Sequence, residues 1–342
     1  MNTVDFINIA SAICADRPMV IFEGKKLTFS EINERANRLA NALLKLGRKK
    51  GDLVAILQVN CPQYIETYFA CAKAGLILSP LNFRAKAEEL SYMLNFAETK
   101  TLLAGDRYVD MVSGMKADVP TVKDFIALDG KAQGMLYYED LLAGSSPDEP
   151  VTEIGDDDVT ILMFTAGTTG RPKAVPLRHN AFAAYALENV EPPNPDSSEV
   201  NLLTVPLYHV AGIQAMLAST YGGRTMAMMR QFEVKEWMET VQKEKANRAM
   251  LVPTMLKWII DDPDFKKYDL SSLKVVTYGA ASMPFEVIKK AIEVMPKVQF
   301  INAFGQTETA STITMLGPLR SRRRRSCCGC AHPSGGRWPM WR

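Results

Sequence analysis

No apolar run in this sequence reaches the roughly 18 residues that a membrane-crossing helix requires, so nothing in it reads as a membrane span. The opening stretch MNTVDFINIASAICADRP lacks a basic leading region and carries Asp5, which makes it a poor secretion signal. Cysteine is too thinly spread for a disulfide framework. Cys14, Cys61 and Cys71 are scattered through the body, and Cys327, Cys328 and Cys330 crowd the tail, so a reducing compartment, the cytoplasm, is expected. Net charge is also nearly absent, at +2. That average hides a step: residues 319–342 hold seven arginines and no acid, leaving 33 of the 40 basic residues against all 38 acidic ones, a body at −5. A slightly acidic body gives no reason to expect a nucleic-acid partner.

What is present is a hydrophobic fraction of 47% in 342 residues, enough for a sizeable core and about two domains. MVIFE (19–23) and KKLTF (25–29) read as a hairpin turning at Gly24. Thr28 and Glu31 have capping-box spacing ahead of a helix carrying Ile32, Ala36, Leu39, Leu43 and Leu44, which Gly47 stops. Strand-like runs at 52–57, 76–81 and 100–105 alternate with helices over 62–73 and 87–96, the rhythm of a parallel sheet covered on both faces. Residues 129–157 are loop-rich and suggest a boundary near 150, giving subdomains 1–150 and 151–317. Alternation resumes with strands at 159–164, 201–206, 224–229, 248–253, 273–279 and 298–305, and a helix at about 233–245. The fold class expected is α/β, layered sheets flanked by helices. Ligands in such sheets sit at strand carboxyl ends.

One segment, FTAGTTGRPKAVPL (164–177), packs threonines, glycines, Arg171 and Lys173 between apolar runs. Threonine hydroxyls and inward-turned glycine N–H groups beside a mobile cation suit a polyphosphate cradle. The spacing is not that of the P-loop, since Gly167 and Gly170 are three apart and Pro176 discourages a following helix. The alternative is a hairpin turn with solvated hydroxyls.

This segment, Thr165-Ala166-Gly167-Thr168-Thr169-Gly170-Arg171-Pro172-Lys173-Ala174, resembles the signature loop of the adenylate-forming superfamily, which includes acyl-CoA synthetases, peptide-synthetase adenylation domains and luciferases. Ala166 stands where the family usually has serine, and Ala174 where it has glycine. Three further segments are similar to family motifs in the family's order. PLYHVAG (206–212) resembles the acyl-pocket segment with His209 at its aromatic position; YGAASMP (278–284) the adenine-holding turn with Gly279, Ala280 and Ala281; NAFGQTE (302–308) the segment ending in a Thr-Glu pair. The resemblance covers about residues 1–317.

The resemblance implies that ATP and a carboxylic acid, fatty or aromatic, form an acyl-adenylate with release of pyrophosphate, and that coenzyme A then takes the acyl group. It implies Asn302, Ala303, Phe304 and Gly305 beside the adenine, Phe304 against the purine face and Asn302 on its amine. Thr307 would donate to the α-phosphate, and Glu308 would hold Mg²⁺. Lys173, with Thr165, Thr168 and Thr169, would neutralise phosphate charge. Singly, each residue has a structural reading: Phe304 in the core, Glu308 solvated, His209 a hydrogen-bonded core histidine. Met226, Met228 and Met229 read as core, or as neighbours of a lipid-like ligand; His179 reads as structural. A peptide-synthetase-type adenylation domain, a phosphotransferase using the Thr/Gly loop, and an inactive nucleotide-binding module are the rival functions.

Family members are considerably longer. The β-barrel subdomain and the carboxy-terminal lid, with its lysine at the reacting groups, find no counterpart here, and losing one transition-state donor costs about 10²–10³ in rate. Impaired activity is the expectation. The tail 318–342 offers a basic patch at Arg322–Arg325, a zinc-like set of Cys327, Cys328, Cys330 and His332, or an out-of-frame segment without structure. Its abrupt change in composition favours the last.

Overall fold

The computed structural model describes residues 1–166 and 170–317. Its strands, in chain order, are β1 (Pro18–Phe22), β2 (Lys25–Thr28), β3 (Leu53–Leu57), β4 (Ile77–Pro80), β5 (Thr101–Ala104), β6 (Asp124–Ala127), β7 (Leu136–Tyr137), β8 (Val159–Thr165), β9 (Lys173–Arg178), β10 (Val200–Leu203), β11 (Thr225–Met228), β12 (Arg248–Leu251), β13 (Val275–Gly279), β14 (Gln299–Gln306) and β15 (Ser311–Leu316). They form two sheets. One runs β7-β6-β5-β3-β4-β8-β9, the other β15-β14-β13-β12-β10-β11-β1-β2. Both are parallel inside, and antiparallel pairs appear only at edges: β8 with β9, β14 with β15, and β1 with β2. That is the arrangement expected of buried parallel sheets closed by hairpin-like edges.

Neither sheet keeps to one side of residue 150. β8 and β9 extend the sheet that β3 begins, whereas β1 pairs with β11, Val20 opposite Met226. A chain-order division near 150 therefore crosses the first sheet, and the first hairpin belongs to the second.

Strand periodicity shows how the layers stack. Val54 and Ile56 of β3 enter one large core while Ala55 and Leu57 enter another. On the second sheet Met226 and Met228 face that same large core, and Ala227 and Met229 face a third. Side chains two apart point to one face. A helical layer comprising Thr3–Ile13, Phe29–Lys45, Pro62–Ala74, His179–Asn189 and Val210–Tyr221 thus shares a core with both sheets. Met226, Met228 and Met229 are core residues.

The local signals act as their chemistry dictates. The first hairpin turns through Glu23 (φ 49°) and Gly24 (φ 78°), both left-handed, as a two-residue turn between twisted strands requires. The Glu31 N–H donates to Thr28 Oγ1 (3.1 Å), and the Thr28 N–H donates to Glu31 Oε2 (2.7 Å), opening the helix Phe29–Lys45. The expected strand over 248–253 is shorter, because Pro253 starts the helix Pro253–Asp261, at the position where a missing N–H costs nothing. Cys14, Cys61 and Cys71 are free and buried. Among the described residues no helix is long and apolar enough to cross a membrane. Arg322–Arg325, Cys327, Cys328, Cys330 and His332 lie outside the described residues.

Candidate active site

In the second sheet β10, β12, β13 and β14 run parallel, so their carboxyl ends share one edge, and the segments noted in the sequence leave from it. β13 and β14 pair with Tyr278 opposite Asn302 and Gly279 opposite Ala303. A Cβ on Gly279 would lie 2.2 Å from the Ala303 carbonyl oxygen, so only glycine admits this approach. Ala280 follows with φ 66°, a left-handed conformation unusual for a residue with a side chain, and Ala280 and Ala281 are exposed. Phe304 is 65% exposed, so it is not a core residue; its ring stands in solvent two positions beyond Asn302. The Asn302 carboxamide makes no hydrogen bond among the described residues.

β14 bulges between Phe304 and Gly305, where a Cβ on Gly305 would overlap the Ser311 carbonyl. A single helical turn, Thr307–Thr309, follows. Thr309 fastens it: its hydroxyl donates to the carbonyls of Gln306 (3.0 Å) and Ser311 (3.2 Å), and its oxygen accepts from the Gln306 N–H (3.3 Å). The side chains of Thr307 and Glu308 are left without partners among the described residues. Thr309 was not singled out from the sequence, because its role is a network inside the turn.

The strands on either side of the Thr/Gly segment, β8 and β9, pair antiparallel in register from Ile161 opposite Leu177 to Thr165 opposite Lys173, after a bulge between Val159 and Ile161. Pro176 fits because β9 is an edge strand. The hairpin and cradle readings are therefore compatible, the hairpin supplying the two stalks of the loop. Thr165 is half-buried; Ala166, Gly170 and Lys173 are exposed, and Gly170 has φ 87°. Gly167, Thr168 and Thr169 lie outside the described residues. Two contacts hold the base of the loop: the Arg171 guanidinium sits 5.4 Å from the centre of the Tyr92 ring, and Phe164 meets Phe96 edge-on at 6.2 Å.

The two edges meet. Cα atoms of β9, which begins at Lys173, come within 8 Å of those in the Thr307–Thr309 turn. The strand that follows the loop in one sheet thus runs beside the Thr-Glu turn of the other.

His209 caps the helix Val210–Tyr221. Its ring lies 4.1 Å from that of Tyr208, which meets Phe83 edge-on at 5.2 Å. The residue keeps solvent contact, so it is not the buried histidine of the structural reading. Partial desolvation, and then repulsion by Arg84, lower its pKa, which favours neutral imidazole. Asn60, from the loop after β3, pins the approach: it accepts from the Leu207 N–H (2.9 Å) and donates to the Val205 carbonyl (3.2 Å). Between the helix Val210–Tyr221 and β12–β15 lies a cavity of about 180 Å³, with Ala303 and Thr312 in its wall.

Lys173 and Glu308 are in no ion pair among the described residues, so β9 offers a cation and the neighbouring turn a carboxylate. Among the described residues no cluster of three metal-ligating side chains exists. A lone carboxylate suits Mg²⁺, which takes one or two protein ligands and completes its shell with phosphate and water.

The AMP-binding enzyme family model matches residues 9–337, farther along the chain than the motifs reach. Indoleacetate–CoA ligase of Aromatoleum aromaticum is 27% identical over 97% of the chain and 65% of its own length. Feruloyl-CoA synthase of an Amycolatopsis species is 32% identical over 86% of the chain and 57% of its own length. The inhibitor-bound N-terminal domain of FACL13 from Mycobacterium tuberculosis superposes with a TM-score of 0.84 at 26% identity, covering 93% of this chain and 79% of that one. The chain therefore spans about three-fifths of the curated relatives it matches.

Proposed function

Because the chain belongs to the AMP-binding enzyme family, we propose that it activates a carboxylic acid, fatty or aromatic, with ATP and transfers the acyl group to coenzyme A. The observation that carries this reading is the meeting of β9 with the Thr307–Thr309 turn. In the first step a carboxylate oxygen attacks the α-phosphorus, the bond to the bridging oxygen breaks, and pyrophosphate leaves. The acid is ionised near neutral pH, so no general base is needed. The work is alignment of two anions and neutralisation of charge.

Glu308 would hold Mg²⁺, whose charge offsets that of the phosphates. Lys173, Thr165 and the loop residues Gly167, Thr168, Thr169 and Gly170 would bind phosphate oxygens, with Ala166 contributing only its backbone. Thr307 would donate to the α-phosphate. Gly279, Ala280 and Ala281 would receive the adenine by backbone, between Asn302–Ala303 and the exposed face of Phe304, and Gly305 would permit the bulge that aims them. His209 would line the carboxylate's approach as a neutral ring. In the second step the thiol sulfur attacks the acyl carbonyl and AMP leaves.

Exchange of labelled pyrophosphate into ATP, stimulated by a panel of carboxylic acids, tests the reading. The expected outcome is carboxylate-dependent exchange. Release of the γ-phosphate as inorganic phosphate would instead identify a phosphotransferase or hydrolase. A second reading is nucleotide binding without turnover. AMP binding with no exchange would select it.

A further inference from the structure

Resting on that reading, we infer that Gln214 selects acids bearing a hydroxyl at the end remote from the reacting carboxylate. The helix Val210–Tyr221 turns Ala211, Gln214, Ala215 and Ala218 toward the 180 Å³ cavity, positions three and four apart that share a face. Three of them are alanine, so Gln214 is the one long side chain on that face. It is 4% exposed, and neither Oε1 nor Nε2 has a hydrogen-bond partner among the described residues. Its neighbours are satisfied: Asn201 donates to Ser219 Oγ (2.9 Å), and Ser219 donates to the Ala215 carbonyl (2.7 Å). Buried carboxamides are ordinarily paired, and an unpaired one facing a cavity is placed for a ligand.

The surroundings define the ligand's chemistry. Besides the Gln214 amide, Arg248 Nε is buried without a partner, and the Tyr185 hydroxyl points only at the Met315 sulfur (3.7 Å), a weak acceptor. Donors outnumber acceptors, so the group that fits offers oxygen lone pairs and one hydrogen for Gln214 Oε1. A hydroxyl does both; an alkyl terminus does neither. Ala303 and Thr312, before and after the Thr307–Thr309 turn in the chain, both line the cavity. An acid with its carboxylate at that turn would direct its far end at Gln214. The volume suits a ring or a short chain, being small beside the roughly 300–1,000 Å³ of sites for drug-sized ligands.

Calorimetric titration with AMP present, using 4-hydroxycinnamate, cinnamate and decanoate as probes, tests this on the whole chain. 4-Hydroxycinnamate should bind about tenfold tighter than cinnamate, and Gln214→Leu should remove the difference while leaving AMP binding unchanged. Gln214→Leu should also melt no lower than the parent, since it replaces an unpaired amide with an apolar chain of similar size. A clearly lower melting temperature would make Gln214 structural and overturn the inference. So would equal binding of the two cinnamates, a preference that survives Gln214→Leu, tightest binding of decanoate, or no acid binding at all. Failure of AMP to bind while the hydroxyl preference persists would sink the adenylation reading alone.

Discussion

At Glu308, replacing one carboxylate oxygen by an amide nitrogen keeps the shape of the side chain and removes its charge. The residue is exposed and has no partner among the described residues, so Glu308→Gln should leave the melting temperature unchanged. If Glu308 holds the metal, the same change lowers carboxylate-dependent exchange by about 10²–10³ and raises the Mg²⁺ concentration needed for half-maximal rate. Unaltered exchange would remove Glu308 from the chemistry. Residues of this kind were legible in the sequence, because a Thr-Glu pair after N-A-F-G-Q, or a glycine where two backbones touch, keeps its identity whatever surrounds it. Gln214 and Thr309 were not. An amide in an apolar run is legible as a reader of ligands only when its lack of a partner is seen, and Thr309 only when the bulge brings the Ser311 carbonyl to it.

Among the elements, those with local signals were legible: the Glu23–Gly24 hairpin, the capped helix Phe29–Lys45 and the helix Ala87–Phe96. The helix Val210–Tyr221 carried no helical stripe, since it is buried nearly all round and apolar on most faces. The helix Thr3–Ile13 was also missed, though His179 shows why it matters: His179 Nδ1 and Thr3 Oγ1 lie 2.7 Å apart in the core, joining the first helix to His179–Asn189. Burial lowers the His179 pKa from 6.5 to about 4, against the attraction of Asp158 and Asp156. An unfolded chain takes up this proton below about pH 6.5 and the folded one only near pH 4, so the histidine's contribution is whole above that window and is lost as pH falls through it. Chemical denaturation should show about 1–2 kcal/mol less stability at roughly pH 5.5 than at roughly pH 7.5, and His179→Gln should flatten the dependence. An equal slope in the variant would place the pH sensitivity elsewhere.

For the whole molecule, the decisive relation is long-range: β1 finds β11, β8 finds β4, and the edges of two sheets meet at β9 and the Thr307–Thr309 turn. Nothing local encodes those pairings, because parallel neighbours distant in the chain are selected by packing of the finished layers. The same organisation leaves one flank open. β15 is the edge of the second sheet and has no outer partner strand among the described residues. Ile313 and Leu316 on it are each 51% exposed, and Phe304 on the adjoining strand lies bare as well. An edge strand with exposed apolar side chains is a template for pairing with another chain. Light scattering should therefore show the average mass rising with concentration. Ile313→Lys, which puts a charge on that edge, should hold the protein monomeric to higher concentration without lowering its melting temperature. A parent chain that stays monomeric throughout would mean that this flank is covered, and equal association of the variant would move the contact to another surface.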